Sequence, residues 1–383
     1  MSPHNVPTLL VMAGGTGGHI FPGLAVADML KQQGWHIHWL GTADRMEASL
    51  VPEHGYDISF VNISGLRNKG LVSWLTLPFK LIKSLWQAIK IIKQTKPDVV
   101  LGMGGYASAP GGLATWLMKK PLVVHEQNAA AGLTNRLLSR IATIVCCAFP
   151  DAFHSKVNAQ VVGNPLRASI GEQDNNTVMQ SEFENSYNVL VVGGSLGAQI
   201  LNQMMPQSFE KLITAQSMEA GVNIWHQTGK DKQEQVISAY TQFSVTNEKI
   251  RVTEFIKDMA SAYQWADIVL CRAGALTVSE LAMAATPAIF VPLPHAVDDH
   301  QTKNAQYLVA CGGAKIMKQS ELTVDSLTQE FQALFSTPEK LKKMAKLAFE
   351  AAHPDATSKV ADICQQLLPD NKQNALKMNR VKR

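Results

Sequence analysis

Two glycine-rich turns in this chain repeat one another at long range: Val11-Met12-Ala13-Gly14-Gly15-Thr16-Gly17-Gly18, and, with Gly193 lying 179 positions after Gly14, Val191-Val192-Gly193-Gly194-Ser195-Leu196-Gly197-Ala198. Each follows an apolar run and precedes a helix-like pattern. A strand that ends in glycines and turns directly into a helix presents backbone N–H groups, at the positive end of the helix dipole, to an anion. Ligands of open parallel sheets bind beyond the carboxyl ends of the strands. The pair of turns therefore predicts two nucleotide-type folds, with both turns lining a cleft between them.

The rest of the pattern agrees. Strands are expected at 8–13, 36–41, 58–63, 99–102, 122–125 and 144–148, with helices near 18–33, 78–94 and 111–118. The alternation restarts at 188–192 and continues through 222–227, 250–254, 268–271 and 288–291. Strands alternating with helices predict an α/β chain with parallel sheets covered on both faces. Gly163-Asn164-Pro165 and the polar stretch 171–184 mark a linker, and the chain after residue 317 reads as helices divided at Pro338 and Pro354. With 383 residues there is room for two cores of ordinary size.

Composition narrows the class. An apolar share of 46% with 17% charged residues argues against wholesale disorder. Cys146, Cys147, Cys271, Cys311 and Cys364 contain no C-x-x-C pair and read as buried thiols of a reducing compartment. The opening residues 1–7 carry no secretory signal, so a cytoplasmic location is expected. The uncharged run 99–118 has membrane-spanning length, but its five glycines and one proline fit turns better than a transmembrane helix. A net charge of +4 is too small to argue for nucleic acid.

A dinucleotide cofactor fails two tests. Ile20 interrupts the G-x-G-x-x-G spacing, and the second strands end in Leu40-Gly41-Thr42 and His226-Gln227-Thr228 without the acid that holds a ribose. There is no phosphate loop either, so no cofactor is expected. Gly274-Ala275-Leu276-Thr277-Val278-Ser279-Glu280 follows a strand and opens a helix. Glu280 could accept hydrogen bonds from a ribose diol while the preceding amides face a diphosphate. The plainer alternative is a helix start whose acid complements the dipole. No D-x-D or metal-ligand cluster exists; Asp298-Asp299-His300 is the nearest thing to one, and adjacent acids cannot easily point at one cation. A departing diphosphate would then be stabilised by helix ends and turn amides, with no metal.

One segment is unusual in charge. Between Asp57 and Asp98 no acid occurs, while Arg67, Lys69, Lys80, Lys83, Lys90, Lys93 and Lys96 all do. On a helical wheel Leu81, Ile82, Leu85, Ile89 and Ile92 form a core-facing arc, but Trp86 falls among the lysines, and Trp74 and Phe79 lie just upstream. Aromatic residues beside clustered lysines suit an anionic membrane surface, with Trp74, Phe79, Lys80, Lys83, Trp86, Lys90 and Trp116 as the contact set.

At the level of ordered motifs the chain resembles the MurG family of bacterial peptidoglycan glycosyltransferases. The resemblance is carried by Ala13 to His19 with Pro22-Gly23, Gly41-Thr42, Gly65-Leu66-Arg67, Gly102 to Tyr106, His125-Glu126-Gln127-Asn128, Gly163 to Arg167, Gly193-Gly194-Ser195, Gly274 to Glu280 and His295 to Gln301. It implies a glycosyltransferase B-type fold of two Rossmann-like domains facing a cleft. The first, residues 1–165 plus about 353–383, would bind acceptor and membrane; the second, residues 166–352, would bind UDP-N-acetylglucosamine.

Carried over by position, the donor site comprises Thr16, Gly17, Gly18, Asn128, Arg167, Ser195, Ile256, Ala275, Leu276, Thr277, Val278, Ser279, Glu280 and Gln301. Ile256 would offer backbone groups to uracil, Glu280 would hold the ribose, Ser195 would face the diphosphate, and Gln301 and Asn128 would contact the sugar. The implied reaction is inverting transfer of N-acetylglucosamine to an undecaprenyl-linked muramyl-pentapeptide lipid at the cytoplasmic face of the bacterial inner membrane. Cell-wall and division proteins are implied as further partners.

His19 closes the first glycine turn, where it suits a general base. The first turn would thus carry the base and the acceptor diphosphate, and the second would carry the donor diphosphate. His125 and Glu126 are the alternative proton carriers. Rival readings are a UDP-N-acetylglucosamine 2-epimerase, a transferase acting on another lipid, and a non-catalytic nucleotide-sugar binding subunit.

Overall fold

A computed structural model describes residues 6–63, 77–171, 186–194, 196–214, 221–242, 249–294 and 299–369. The chain divides into two compact units, Met1–Arg167 with His353–Arg383, and Ala168–Ala352.

The first unit runs β1 (Thr8–Ala13), α1 (Gly17–Gln32), β2 (His36–Gly41), α2 (Glu47–Glu53), β3 (Asp57–Phe60), α3 (Leu77–Thr95), β4 (Val99–Gly104), α4 (Ser108–Leu117), β5 (Leu122–Glu126), α5 (Leu133–Leu138), β6 (Ile144–Cys147) and β7 (Ala159–Val161). Its strands form a parallel sheet in the order β3-β2-β1-β4-β5-β6-β7. A central parallel strand is covered on both faces, which explains why β1 is apolar at every position after Thr8. Leu9, Val11 and Ala13 join the core under α1, while Leu10 and Met12 pack on the opposite face with Ala88 of α3 and Ala114 of α4.

The second unit runs α6 (Ala168–Gly171), β8 (Ser186–Val192), α7 (Gln199–Thr214), β9 (Gly221–Gln227), α8 (Gln233–Thr241), β10 (Ile250–Thr253), α9 (Met259–Trp265), β11 (Ile268–Cys271), α10 (Ala275–Met283), β12 (Ala288–Phe290), α11 (His300–Cys311), β13 (Ala314–Ile316), α12 (Val324–Phe335) and α13 (Pro338–Glu350). The parallel order is β10-β9-β8-β11-β12-β13. The last helix, α14 (Ala356–Gln366), packs on α1, with Val360, Ala361 and Cys364 entering the first unit's core. Two Rossmann-like parallel-sheet units make this an α/β fold of the B type.

In the first unit three short elements, α2, α5 and β7, lie outside the sequence pattern; each is too brief to show a period. The uncharged run divides into β4 and α4, and α4 begins at Ser108, earlier than expected. The single Ser108 hydroxyl hydrogen lies between two carbonyl acceptors, Gly104 at 2.7 Å and Met12 at 3.0 Å from Oγ, which anchors that start. Among the described residues no helix is long and apolar enough to cross a membrane. In α3 the expected core arc is corrected. Burial begins only at Ser84 and continues through Ala88, Ile91 and Ile92, so Leu81, one turn earlier, is 42% exposed, and Ile82, off that arc, is 55% exposed.

Candidate functional site

In the first unit three adjacent strands, β1, β4 and β5, bring the first glycine turn, Gly104-Gly105 and Glu126-Gln127 to one end of the sheet. The first turn is held from behind. Glu47, fully buried, accepts from the Gly15 amide at 2.9 Å, the Thr42 amide at 2.9 Å and the Thr42 hydroxyl at 2.7 Å. The Gly15 amide is therefore engaged, which narrows the expectation that the whole turn faces a diphosphate. Thr16 is the extended N-cap and makes no side-chain cap. The amides of Gly17 and Gly18 lie in the first helical turn, where no intrahelical acceptor exists.

His19 is the third residue of α1 and is half-buried. A bulge inserts Met103 into β4 opposite β1 and re-aims the following residue. That residue, Gly104, lies so close to the imidazole that a Cβ on it would stand 3.0 Å from Cε1 and from Nδ1. His19 Nδ1 is 2.8 Å from Gln127 Oε1. The Gln127 amide nitrogen lies 3.1 Å from both His125 Nδ1 and the His125 carbonyl, and His125 Nε2 is 2.9 Å from the Gly163 carbonyl.

These contacts remove both alternative proton carriers. The His125 ring is entirely buried with both nitrogens bonded, and burial pushes its pKa down to about 4. Glu126 is buried too: Oε1 accepts from Asn128 N at 3.0 Å and Nδ2 at 3.2 Å, and Oε2 from Gly132 N at 3.1 Å and Asn135 Nδ2 at 2.9 Å. The pair braces the loop after β5, with the hydrogen-bonding atoms of both side chains engaged by the protein. Asn128 is half-buried on that loop, and the Arg167 guanidinium lies over the Phe21 ring at 4.9 Å.

The second unit repeats the design with different chemistry. Gly194 N donates to Gln227 Oε1 at 3.1 Å, and Gln227 Nε2 donates to the carbonyls of Gly194 at 2.9 Å and Glu254 at 2.8 Å. Ser195 lies outside the described residues. Because β8 and β11 are paired in parallel, with Val192 opposite Cys271, the second glycine turn and Gly274 leave the same sheet end side by side. Gly274 is the extended N-cap of α10, so Ala275, Leu276 and Thr277 form its first turn.

Further along α10, Val278 is buried, and the Ser279 hydroxyl donates to the Ala275 carbonyl at 3.1 Å. Glu280, nearly buried, accepts from the Tyr263 hydroxyl at 3.0 Å. Ile256 is buried in the connection from β10 to α9. Gln301, near the start of α11, accepts the Leu293 amide on Oε1 at 2.9 Å. Glu47, Gln127, Gln227 and Tyr263 were missed as supporting residues, although Gln127 lies within a motif noted from sequence.

On α3, Phe79 is 76% and Trp86 67% exposed, with Lys80, Lys83 and Lys90 exposed beside them. On α4, which packs along α3, Trp116 is 49% exposed. Trp74 lies outside the described residues.

The Glycosyltransferase family 28 N-terminal domain matches residues 9–147, and the Glycosyltransferase family 28 C-terminal domain matches residues 188–367. A relative from Colwellia psychrerythraea, named UDP-N-acetylglucosamine--N-acetylmuramyl-(pentapeptide) pyrophosphoryl-undecaprenol N-acetylglucosamine transferase, is 65% identical over 366 residues, 95% of this chain and 94% of its own. The crystal structure of Acinetobacter baumannii MurG superposes with a TM-score of 0.81 at 41% identity, covering 94% of this chain and 99% of that one. A UDP-N-acetylglucosamine 2-epimerase structure, at 15% identity and a TM-score of 0.64 over 93% of this chain and 94% of its own, shares the fold alone. Matched in order across both units and nearly end to end, the chain belongs to glycosyltransferase family 28 and, within it, to the MurG family.

Proposed function

We propose that this chain is an inverting N-acetylglucosaminyltransferase that moves N-acetylglucosamine from UDP-N-acetylglucosamine to the muramyl C4 hydroxyl of undecaprenyl-diphosphate-linked N-acetylmuramyl-pentapeptide. The observation that carries the reading is 65% identity, across nearly the whole of both chains, to a relative bearing that activity's name.

Transfer needs a base for the incoming hydroxyl and stabilisation of the departing diphosphate. His19 is the base: its ring is only half-buried and stands at the end of the sheet where α1 begins. Glu280 receives the donor ribose, and Tyr263 orients its carboxylate through the 3.0 Å hydrogen bond. The donor diphosphate belongs to the second glycine turn with Ser195 and the first turn of α10. A neutral amide, Gln227, backs that turn where the carboxylate of Glu47 backs the first. Ile256 serves uracil, and Gln301 contacts the sugar. In the first unit, Thr16, Gly17, Gly18, Asn128 and Arg167 are the residues assigned to the donor.

The acceptor is a lipid, which favours attachment of the chain to the cytoplasmic face of the inner membrane. Exposed Phe79, Ile82 and Trp86 among Lys80, Lys83 and Lys90 support such a contact, with aromatic groups entering the interface and lysines meeting anionic headgroups. An epimerase would need no such surface. Incubation with UDP-N-acetylglucosamine and a short-chain muramyl-pentapeptide lipid tests the reading: disaccharide-lipid must appear in step with UDP. UDP without that product would refute it.

A further inference from the structure

We infer that Gln127 is a positioning residue that fixes the tautomer of His19, placing its hydrogen on Nδ1 and leaving the Nε2 lone pair for the substrate proton. The inference deepens the reading of His19 as the base and rests on it.

The argument starts from an atom that can only accept. The Gly163 carbonyl lies 2.9 Å from His125 Nε2, so that nitrogen must carry a hydrogen. The ring is wholly buried, and burial holds it neutral, so His125 has one hydrogen and its Nδ1 is an acceptor. An acceptor at 3.1 Å requires a donor, and the facing atom is Gln127 Nε2. The same nitrogen lies 3.1 Å from the His125 carbonyl, a second pure acceptor. Two acceptors on one side allow a single orientation of the amide, and reversing it would set oxygen against both.

Gln127 Oε1 then faces His19 Nδ1 at 2.8 Å as an acceptor, and His19 must donate from Nδ1. Polarity set by one main-chain carbonyl is thus passed through His125 and Gln127 to His19. Gln127 is only 1% exposed, so water cannot readily substitute for it. The anchor is fixed as well. Gly163 has φ +86, and a Cβ there would stand 2.3 Å from the His353 Cβ, so no other residue can present this carbonyl unchanged.

A neutral imidazole has one lone-pair nitrogen, and a base with the wrong tautomer has no acceptor to offer. Long-range proton–nitrogen correlation spectra of the full-length, histidine-labelled chain read the tautomer directly, with His19→Gln identifying the His19 signals. Wild type should show hydrogen on Nδ1. Gln127→Leu should lose that preference and lower kcat on the order of a hundredfold while leaving KM for UDP-N-acetylglucosamine unchanged.

A wild-type His19 protonated on Nε2 overturns the inference and needs no variant to fold. An unchanged tautomer in Gln127→Leu overturns it too. Full turnover in His19→Ala would instead sink the base role, so the two failures are told apart.

Discussion

Glu47 holds the amide of Gly15 at 2.9 Å from a carboxylate with no exposed surface. At the corresponding position of the second turn, Gln227 holds Gly194 at 3.1 Å. The geometry is shared and the charge is not. An anion at the first turn meets a carboxylate behind it, in an interior where charges act more strongly than in water. The duplicated folds differ in electrostatics where they look most alike. Glu47→Ala leaves two amides and a hydroxyl without their acceptor, at about 1–3 kcal/mol for each buried group. Thermal unfolding should shift down by at least about 5 °C, and the Gly15 amide should exchange faster; an unshifted transition contradicts the bracing role.

Gly104→Ala should test how His19 is positioned. The residue has φ +109, and its new Cβ would press on the His19 ring at 3.0 Å. A displacement of even 1 Å at a reacting group costs on the order of a hundredfold in rate. Steady-state assays should therefore find kcat reduced to about that extent with UDP affinity intact. Unaltered kcat would show that the ring is not held by this contact.

Tyr263→Phe keeps the buried ring and deletes the hydroxyl that meets Glu280. The loss of one hydrogen bond to the carboxylate proposed to hold the ribose should weaken UDP binding about threefold to tenfold, measured by calorimetry. Equal affinity would remove Tyr263 from the donor site.

Acidification should weaken the first unit more than the second. Burial lowers the pKa of His125 to about 4 and also lowers His38 and His353, all in the first unit. Below the usual 6.5 the unfolded chain takes up protons that the folded one resists, so this stability is present above pH 6.5 and is lost as pH falls toward 4. The slope is about 1.4 kcal/mol per pH unit for each fully shifted group. In the second unit His226, lowered to about 3, acts in the same sense, but Asp267, raised to about 6 by burial, opposes it between pH 6 and 3.8. Hydrogen exchange at pH 6.5 and 4.5 should show the larger loss of protection in β1, β4 and β5; a larger loss in β8 and β11 contradicts the assignment.

Membrane attachment has a separate test. Trp86→Ala combined with Lys80→Gln and Lys83→Gln should cut binding to anionic vesicles severalfold, since each lysine contributes about 1 kcal/mol near such a surface. Binding should also fall as salt rises. Flotation that is indifferent to these changes would place the contact elsewhere.

The strand-glycine-helix turns, the sheet class and the buried central strands were readable because they are local patterns of apolar period and turn residues. Glu47 and Gln127 were not, because their roles depend on which strand ends become neighbours. Glu47 meets Gly15 across 32 positions of chain and Gln127 meets His19 across 108. His125 read as a candidate base from its place after a strand, and only the burial of its ring and the partners on both its nitrogens assign it to support. Leu81 shows the converse limit: a wheel gives direction around a helix, not where along it the neighbouring core begins.

The most direct measurement is a single-turnover reaction with labelled UDP-N-acetylglucosamine and a short-chain muramyl-pentapeptide lipid, comparing wild type with His19→Ala. Wild type should form the disaccharide-lipid as UDP appears, and His19→Ala should still bind UDP but form product at least about a hundredfold more slowly. Wild-type release of UDP without disaccharide-lipid, or product formed at an undiminished rate by His19→Ala, would contradict the assigned reaction or its base, respectively.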